Sequence, residues 1–420
     1  MRSSQSAVGE VKMAKRDTVA KAAAGERPFR ILMIAPTSFF SDYGGHIRIL
    51  EEAYTLQGMG HQVAIVTYYK GSDMPDLDIR RTAPLPWRPE YEVGSSRHKI
   101  AFDVYLAWQS LVEAIRFKPD VIHGHMHEGA LIGGVLSKLL RRPLVFDFQG
   151  SMTAEMTDHN FLRKDGRLYR LAFRLENFIN KMPQAILTSS IKATRLLEED
   201  FQLAKDKLIP LPDCANHRRF DPERFSPEMK QDLRQRLGLP LDRPIVAYLG
   251  LLTDYQGVPH LIEAAARLKQ AGEKCHFLIM GYPNVAHYQA VARQKDVADY
   301  VTFTGKVMYQ NAPAYLSLGD IAVAPKMSTS EGSGKLLNYM ALGQPVVAYD
   351  SAVHREYLGD LGVYAPSGDV TAFTEAIATL LHQPEERVAL GEKLRKRALQ
   401  VYSWQKAGEH IVSLYKQLTK

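Results

Sequence analysis

A short loop and the helix that follows it hold the side chains best suited to chemistry. The candidate residues there are Glu331, Gly332, Ser333, Gly334, Lys335 and Asn338. The first N–H groups of a helix have no backbone partner and carry partial positive charge, so the loop predicts an anion-binding site. A cation, an amide and a phenol on the outer face of the helix would then lie beside Glu331, around a space about the size of a phosphate group. The alternative is an ordinary crossover helix with a polar outer face.

The spacing of side chains along this helix separates a core face from an outer face. The apolar residues on one face are predicted to enter the core: Leu336, Leu337, Met340 and Ala341. The residues on the opposite face are predicted to look out over the anion site: Lys335, Asn338 and Tyr339.

Other candidate residues follow apolar strands. Gly44 and Gly45 come after the first strand, and Lys326 follows the strand that precedes the anion loop. A group of polar residues ends or follows a third strand: His123, His125, His127 and Glu128. Ligands of open α/β sheets bind beyond the carboxyl ends of strands, so these features converge if two domains face each other across a cleft. No cysteine or carboxylate cluster joins the histidines, and we predict no metal site.

The elements that must position these residues alternate strongly between strand and helix. Buried-strand runs are predicted at 29–36, 61–69, 121–123, 144–148, 185–188, 245–250, 276–281, 301–305, 321–326 and 345–349, with helices between them. Such alternation indicates parallel sheets covered on both faces. The predicted division is a disordered basic tail at 1–27, α/β domains at 28–213 and 214–400, and a final helical segment at 401–420.

Composition narrows the class of protein. The chain has 420 residues, 45% of them apolar, a formal net charge of +7 and only two cysteines. These values fit a globular protein of a reducing compartment, and we expect the cytoplasm or the inner face of the membrane. The mild positive charge suits phosphate-bearing ligands and permits peripheral membrane contact, and no nucleic-acid partner is indicated. No apolar run approaches the length of a membrane-spanning helix.

Nine short motifs in order give the chain a family resemblance over about residues 29–418. They are Gly44-Gly45, 60–63 (GHQV), 119–123 (PDVIH), 188–190 (TSS), 210–216 (PLPDCAN), 248–250 (YLG), 256–258 (QGV), 303–305 (FTG) and 339–347 (YMALGQPVV). The chain resembles the family 4 (group 1) retaining glycosyltransferases of the GT-B fold. The resemblance implies two doubly wound Rossmann-like domains facing across a cleft and a C-terminal helix that crosses back to the first domain.

The resemblance also implies roles for individual residues. Gly44 and Gly45 would admit the donor diphosphate and the acceptor, while the loop 332–334 would hold sugar and diphosphate through its N–H groups. Glu331 would bond donor-sugar hydroxyls, and His125, or alternatively His127 beside Glu128, would lie near the transferred sugar. The turn at Gly305 would lie against the nucleobase. The implied function is metal-independent, retaining transfer of a hexose from a nucleoside diphosphate sugar to a glycan, glycolipid or small glycoside, without a cofactor.

Three positions differ from the family pattern. Asn338 stands where a second glutamate is usual, and Leu251 and Gln256 stand where an arginine and a lysine usually contact the diphosphate. We predict that Lys326 and Lys335, which border the anion loop, supply the missing cations. The alternatives are a catalytically silent GT-B homologue, which binds nucleotide sugar or partners another enzyme, and a nucleotide-sugar epimerase. The donor sugar, nucleobase, acceptor and oligomeric state stay open.

Overall fold

The protein contains two parallel sheets, each covered by helices on both faces. This computed structural model describes residues 27–41, 44–84, 99–158, 162–164, 166–327 and 333–420. The tail predicted at 1–27 therefore falls almost wholly outside the described residues, as do Glu331 and Gly332 of the anion loop.

The first sheet has seven strands in the order β3-β2-β1-β4-β5-β6-β7, all paired in parallel. Its strands are β1 (Arg30–Ala35), β2 (Gln62–Thr67), β3 (Asp78–Arg81), β4 (Val121–His125), β5 (Leu144–Phe148), β6 (Ala185–Thr188) and β7 (Leu208–Pro210). The helices of this half are α1 (Gly44–Gly58), α2 (Lys99–Phe117), α3 (Met126–Leu140), α4 (Met152–Asp158), α5 (Arg167–Lys181) and α6 (Ile191–Glu199).

The second sheet has six parallel strands in the order β10-β9-β8-β11-β12-β13. Its strands are β8 (Ile245–Leu249), β9 (His276–Met280), β10 (Val301–Gly305), β11 (Ile321–Ala324), β12 (Val346–Tyr349) and β13 (Val363–Ala365). The remaining helices are α7 (Pro227–Arg236), α8 (Val258–Gln270), α9 (Val285–Gln294), α10 (Ala312–Leu316), α11 (Lys335–Ala341), α12 (Ala352–Leu358), α13 (Val370–His382), α14 (Pro384–Val401) and α15 (Trp404–Leu418).

Alternate residues of each central strand enter cores on opposite sides of the sheet, as a strand's period of two requires. In β1, Ile31 and Met33 pack with α1 and α15, whereas Leu32 and Ile34 pack with α2 and α3. Every strand predicted from its apolar run is present. These runs are apolar throughout because parallel strands are buried on both faces.

The last helix returns to the first half of the chain, as predicted. Helix α15 lies against α1 so closely that a Cβ on Gly408 would stand 2.5 Å from Thr55 Cγ2. The buried Tyr415 hydroxyl lies 2.6 Å from His123 Nδ1 of β4. The C-terminal helix thus completes the core of the first half.

Candidate active site

The carboxyl ends of β8 and β11 bring two lysines beside the anion loop. Lys335, the first residue of α11, donates from Nζ to Gln256 Oε1 at 3.1 Å. The same ammonium lies 4.3 Å from the centre of the Tyr248 ring, where cation–π attraction holds it. A Cβ on Gly250 would stand only 2.9 Å from this Nζ. Gly250, which directly follows β8, therefore leaves the space that the ammonium occupies.

Lys326 and Lys335 both lie close enough to His354 to lower its pKa. Burial, helped by Lys335 and Lys326, lowers the pKa of His354 to about 4. His354 stays neutral at pH 7, and its Nδ1 lies 2.6 Å from the carbonyl oxygen of Tyr349. Lys326 is itself buried. Two ammonium groups thus act on one region at the edge of the second sheet.

The described part of the anion loop offers a hydroxyl and an open glycine. Ser333 is buried, and its Oγ has no hydrogen-bond partner among the described residues. Among the described residues other than its chain neighbours, an added Cβ on Gly334 would meet only Asp213 Oδ2, at 3.8 Å. A helix as short as α11 adds little dipole of its own, so the two lysines and this hydroxyl are the described groups whose charge and polarity best suit an anion.

The predicted faces of α11 are right for six side chains and wrong for Tyr339. Leu336, Leu337, Met340 and Ala341 are buried, and Lys335 and Asn338 are half-buried. Tyr339 does not look out: it is fully buried, and its hydroxyl accepts the Leu249 N–H at 2.9 Å. The Leu249 N–H at the end of β8 needs a hydrogen-bond acceptor, and the Tyr339 hydroxyl supplies it because α11 is covered on this side as well.

In the first half, β4 places His125 in a buried network. The imidazole is fully buried, and its Nδ1 lies 3.1 Å from Asp147 Oδ2. Its Nε2 has no hydrogen-bond partner among the described residues. His123 stacks on it with ring centres 4.7 Å apart. His123 is itself buried, and its Nδ1 lies 2.6 Å from the Tyr415 hydroxyl.

Arg48 is the central residue of this network, and sequence reasoning missed it. From α1 its Nη2 lies 2.8 Å from Asp147 Oδ1, and its Nη1 lies 3.0 Å from Asp213 Oδ1. It also donates to the carbonyl oxygen of Leu211 at 3.0 Å. Since Asp213 borders Gly334, one guanidinium connects the His125 network with the anion loop. A local signal existed, because Arg48 and Glu52 form an ion pair four residues apart on a helix.

The charges of the network follow from burial and from Arg48. Burial alone would raise the pKa of Asp147, but Arg48 and His125 outweigh burial and hold it below its ordinary value. Burial, together with the Asp147 charge, raises the pKa of Glu52 well above its ordinary value. Burial also lowers the pKa of His123. At pH 7 the main charge pair is therefore Arg48 with Asp147.

His127 and Glu128 lie apart from this network. His127 is buried against Phe146 and Phe148, and its Nε2 lies 3.3 Å from Glu176 Oε1 on α5. Glu128 forms an ion pair with Lys99 of α2. Of the two histidines that the sequence left open, the structure brings His125 into contact with the Arg48 network.

The three remaining predicted glycines occupy different surroundings. A Cβ on Gly44 would meet no atom of the described residues within 4 Å, whereas one on Gly45 would stand 2.6 Å from Gln149 Oε1. Gly305 has a positive φ of 75° and open space beside it, at the end of β10. Gly45 thus approaches the end of β5, and Gly305 lies three strands from β11 along the second sheet.

A second set of contacts joins the two halves at Glu51. Its carboxylate accepts from Asn216 Nδ2 at 2.7 Å and from the Tyr309 hydroxyl at 2.9 Å. The Arg219 guanidinium lies over the Tyr309 ring at 5.2 Å. Because Tyr309 follows β10, this bond brings the second half against α1.

Three buried side chains have the donor types of a metal site: Glu52, His123 and His125. The Arg48 guanidinium already lies 3.3 Å from Glu52 Oε1, and Tyr415 occupies His123 Nδ1. A resident positive charge opposes a cation here, so the donor set fits a metal poorly. The absence of a metal remains a prediction.

Comparisons with known proteins give the context of this site. The family model described as Glycosyl transferase 4-like domain matches residues 44–214, and the model described as Glycosyl transferases group 1 matches residues 229–397. Together they cover most of both α/β units.

Two relatives of known name are similar in sequence to most of this chain. The chain is 26% identical to alpha-D-kanosaminyltransferase of Streptomyces kanamyceticus over 68% of this chain and 73% of that protein. It is 25% identical to sulfoquinovosyl transferase SQD2 of Arabidopsis thaliana over 92% of this chain and 73% of that protein.

Two solved structures share the architecture. Sucrose-phosphate synthase from Thermosynechococcus elongatus superposes with a TM-score of 0.74 at 19% identity, covering 94% of this chain and 99% of that one. HepE from Anabaena, in complex with UDP and glucose, superposes with a TM-score of 0.73 at 15% identity, covering 93% and 100%. Likeness at these identities shows the fold, so the predicted GT-B architecture is confirmed.

Proposed function

Since the chain belongs to the group 1, family 4 glycosyl transferases, we propose that it moves a hexose from a nucleoside diphosphate sugar to a hydroxyl of a glycan, glycolipid or small glycoside. The transfer retains the anomeric configuration and needs neither a metal ion nor a cofactor. The observation that carries this proposal is the contact of Lys335 Nζ with Gln256 Oε1, at 3.1 Å.

That contact is informative because position 256 is where the family usually has a lysine on the diphosphate. The Lys335 ammonium reaches the side-chain end of Gln256 and lies beside Gly250, next to Leu251, the other altered position. Losing two charged hydrogen bonds without replacement would cost about 3–6 kcal/mol. Lys335 and Lys326 offset that loss, so relocation of the cations supports an active enzyme over a silent homologue.

The proposed chemistry needs these cations at one step. The bond between the anomeric carbon and the diphosphate oxygen breaks, and both electrons leave with the phosphate. The acceptor oxygen forms its bond on the same face of the sugar, and its proton passes to the leaving phosphate oxygen. Lys335, Lys326 and the Ser333 hydroxyl stabilise the developing negative charge, which is where preorganised donors lower a barrier most.

The first half supplies the sugar side of the proposed site. Asp147 fixes the His125 ring through Nδ1, which leaves Nε2 to face the transferred sugar. Gly44 and Gly45 admit the diphosphate and acceptor, and Glu331, Gly332 and Gly334 hold the donor. Asn338 replaces a carboxylate at the ribose. A nucleotide extended along the second sheet, from β11 to Gly305, would cross three strand spacings, about 14 Å.

The nucleotide-sugar donor draws support from one fold neighbour, since HepE was solved with UDP and glucose. The relatives transfer different sugars, as their names state, so similarity selects no particular hexose. Lys335 and Lys326 address the diphosphate, which all such donors share.

The test is incubation of the purified full chain with UDP-, GDP- and ADP-sugars, with and without EDTA. We expect one nucleotide series to raise Tm, by the equivalent of about 2.7 kcal/mol at a hundred times Kd. We also expect slow hydrolysis that releases the sugar with its original anomeric configuration, unchanged by EDTA. A Tm that no nucleotide moves would refute donor binding, and a stable complex without hydrolysis or transfer would indicate the silent homologue. An epimerised sugar still joined to its diphosphate would indicate an epimerase.

A further inference from the structure

Helices α2, α3 and α5 lie side by side on the outer face of the first sheet, away from α1 and α15. Every exposed position of these three helices is either large and apolar or basic: ten are apolar and six are basic. We call this surface the α2–α3–α5 face. Seventeen large apolar side chains are exposed among the described residues, so ten on one surface is a concentration and not a scatter.

Helix α5 shows the pattern most clearly. Its exposed apolar side chains, Leu168, Leu171, Leu175 and Phe178, fall within about 80° of arc around the helix axis. Exposed arginines at 167, 170 and 174 line one border of this stripe. Among the described residues, none of these arginines forms an ion pair. Clustered apolar residues beside basic ones are typical of helices that lie in a membrane interface.

Helix α2 continues the surface with the same spacing. Ile100, Val104 and Trp108 recur every four residues and are 75%, 63% and 67% exposed. Tryptophan suits the headgroup level of a bilayer because its ring is apolar and its N–H is polar. Leu139 of α3 lies between the two stripes and is 64% exposed.

Acidic side chains on these helices are turned away from the surface and paired. On α2, Glu113 pairs with Arg80 and with the exposed Arg116, and Asp103 accepts from the Tyr68 hydroxyl. Glu128 of α3 pairs with Lys99, and Glu176 of α5 is bound by Thr153 and His127. Of the six exposed basic groups, only Arg116 has an acidic partner among the described residues, so the other five, including all four on α5, are not offset by a paired carboxylate. The surface combines apolar area with unopposed positive charge.

We propose that the α2–α3–α5 face docks on the surface of an anionic phospholipid bilayer. The leucines, Phe178 and Trp108 enter the headgroup region, and the arginines of α5 pair with lipid phosphates. No helix among the described residues is both long and apolar enough to span a bilayer, so the contact is peripheral. The inference does not rest on the proposed sugar transfer, because it uses none of the residues of that site.

The experiment is co-sedimentation of the full chain with phosphatidylcholine vesicles, with and without phosphatidylglycerol. We expect binding to the vesicles that contain phosphatidylglycerol, weakened as salt rises. The Arg170→Glu/Arg174→Glu double variant should bind at least tenfold more weakly, since each basic group near an anionic surface contributes about fivefold. Leu171→Glu/Phe178→Glu should abolish binding at any salt concentration.

Two matched controls sit on the other half of the protein. Val388 of α14 is 63% exposed and Arg293 of α9 is exposed, so Val388→Glu and Arg293→Glu make the same changes elsewhere. Both should bind like the unaltered chain, and thermal unfolding should be alike for all variants. Failure to bind vesicles, or equal loss in the controls, would overturn the proposal. So would a dimer in solution that Leu171→Glu/Phe178→Glu dissociates, because the face would then join two copies of this chain.

Discussion

Replacing Lys335 by methionine removes the ammonium group while keeping an unbranched stem to pack over Tyr248. If Lys335 holds the donor diphosphate, the variant loses one charged hydrogen bond, worth about 1.5–3 kcal/mol. The Kd for a nucleoside diphosphate should then rise about 10- to 150-fold. Isothermal titration calorimetry with UDP, GDP and ADP measures this directly and needs no acceptor.

A second substitution turns this loss into a test of position. Lys335 Nζ contacts Gln256 Oε1, so a lysine at 256 would place its ammonium at nearly the same point. Gln256→Lys should therefore restore most of the lost affinity in the Lys335→Met background. In the unaltered chain the same change puts two like charges together and should gain little.

Lys274→Met serves as control, because Lys274 is exposed on a loop of the same half and far from β8's carboxyl end. Nucleotide affinity that is unchanged in Lys335→Met would refute the assignment of Lys335 to the diphosphate. Affinity lost in Lys335→Met but not restored by Gln256→Lys would refute relocation and leave Lys335 with a different role.

Three further outcomes follow from the buried network and from His354. Arg48→Met should lower the free energy of unfolding by about 3–5 kcal/mol in urea denaturation, because the buried Asp147 carboxylate loses the arginine charge that opposes its own. His125→Asn should lower kcat about 10²-fold with little change in nucleotide affinity, as kinetics and calorimetry together would show. His354 has a folded pKa of about 4 against 6.5 when unfolded, so its contribution is present above pH 6.5 and is lost as pH falls toward 4, about 3 kcal/mol in all. His354→Gln should flatten that part of the curve of unfolding free energy against pH, and an unchanged curve would contradict the assignment.

The elements of the fold could be predicted because their signals are local. Apolar runs such as 245–249 are buried on both faces, and the alternation with helices leaves a parallel sheet as the consistent arrangement. The inward face of α11 followed from its spacing. The prediction for Tyr339 was wrong because helical spacing does not show what covers the outer face of α11. Here the end of β8 covers that face at Tyr339.

The Arg48 network could not be predicted from the sequence because its members are far apart in the chain. Arg48 is 99 residues from Asp147 and 165 from Asp213, and nothing within any one of these segments identifies the other two as its partners. Only the packing of α1 against the ends of β5 and β7 makes them partners. Lys335 was found because it adjoins a recognisable loop, while its contact with Gln256 depends on the small residue at 250.

The bond between Tyr415 and His123 has a consequence for how the chain is made. These residues are 292 positions apart, and the hydroxyl fills a polar site in the middle of the first sheet. At ~5–20 residues per second, a ribosome needs about 15–60 s to travel from one to the other. During that interval the His123 imidazole lacks its Tyr415 partner, and the face of α1 that α15 later covers stays exposed. Folding of the first half should therefore be completed only after Tyr415 has been synthesised, when most of the second half has already been made.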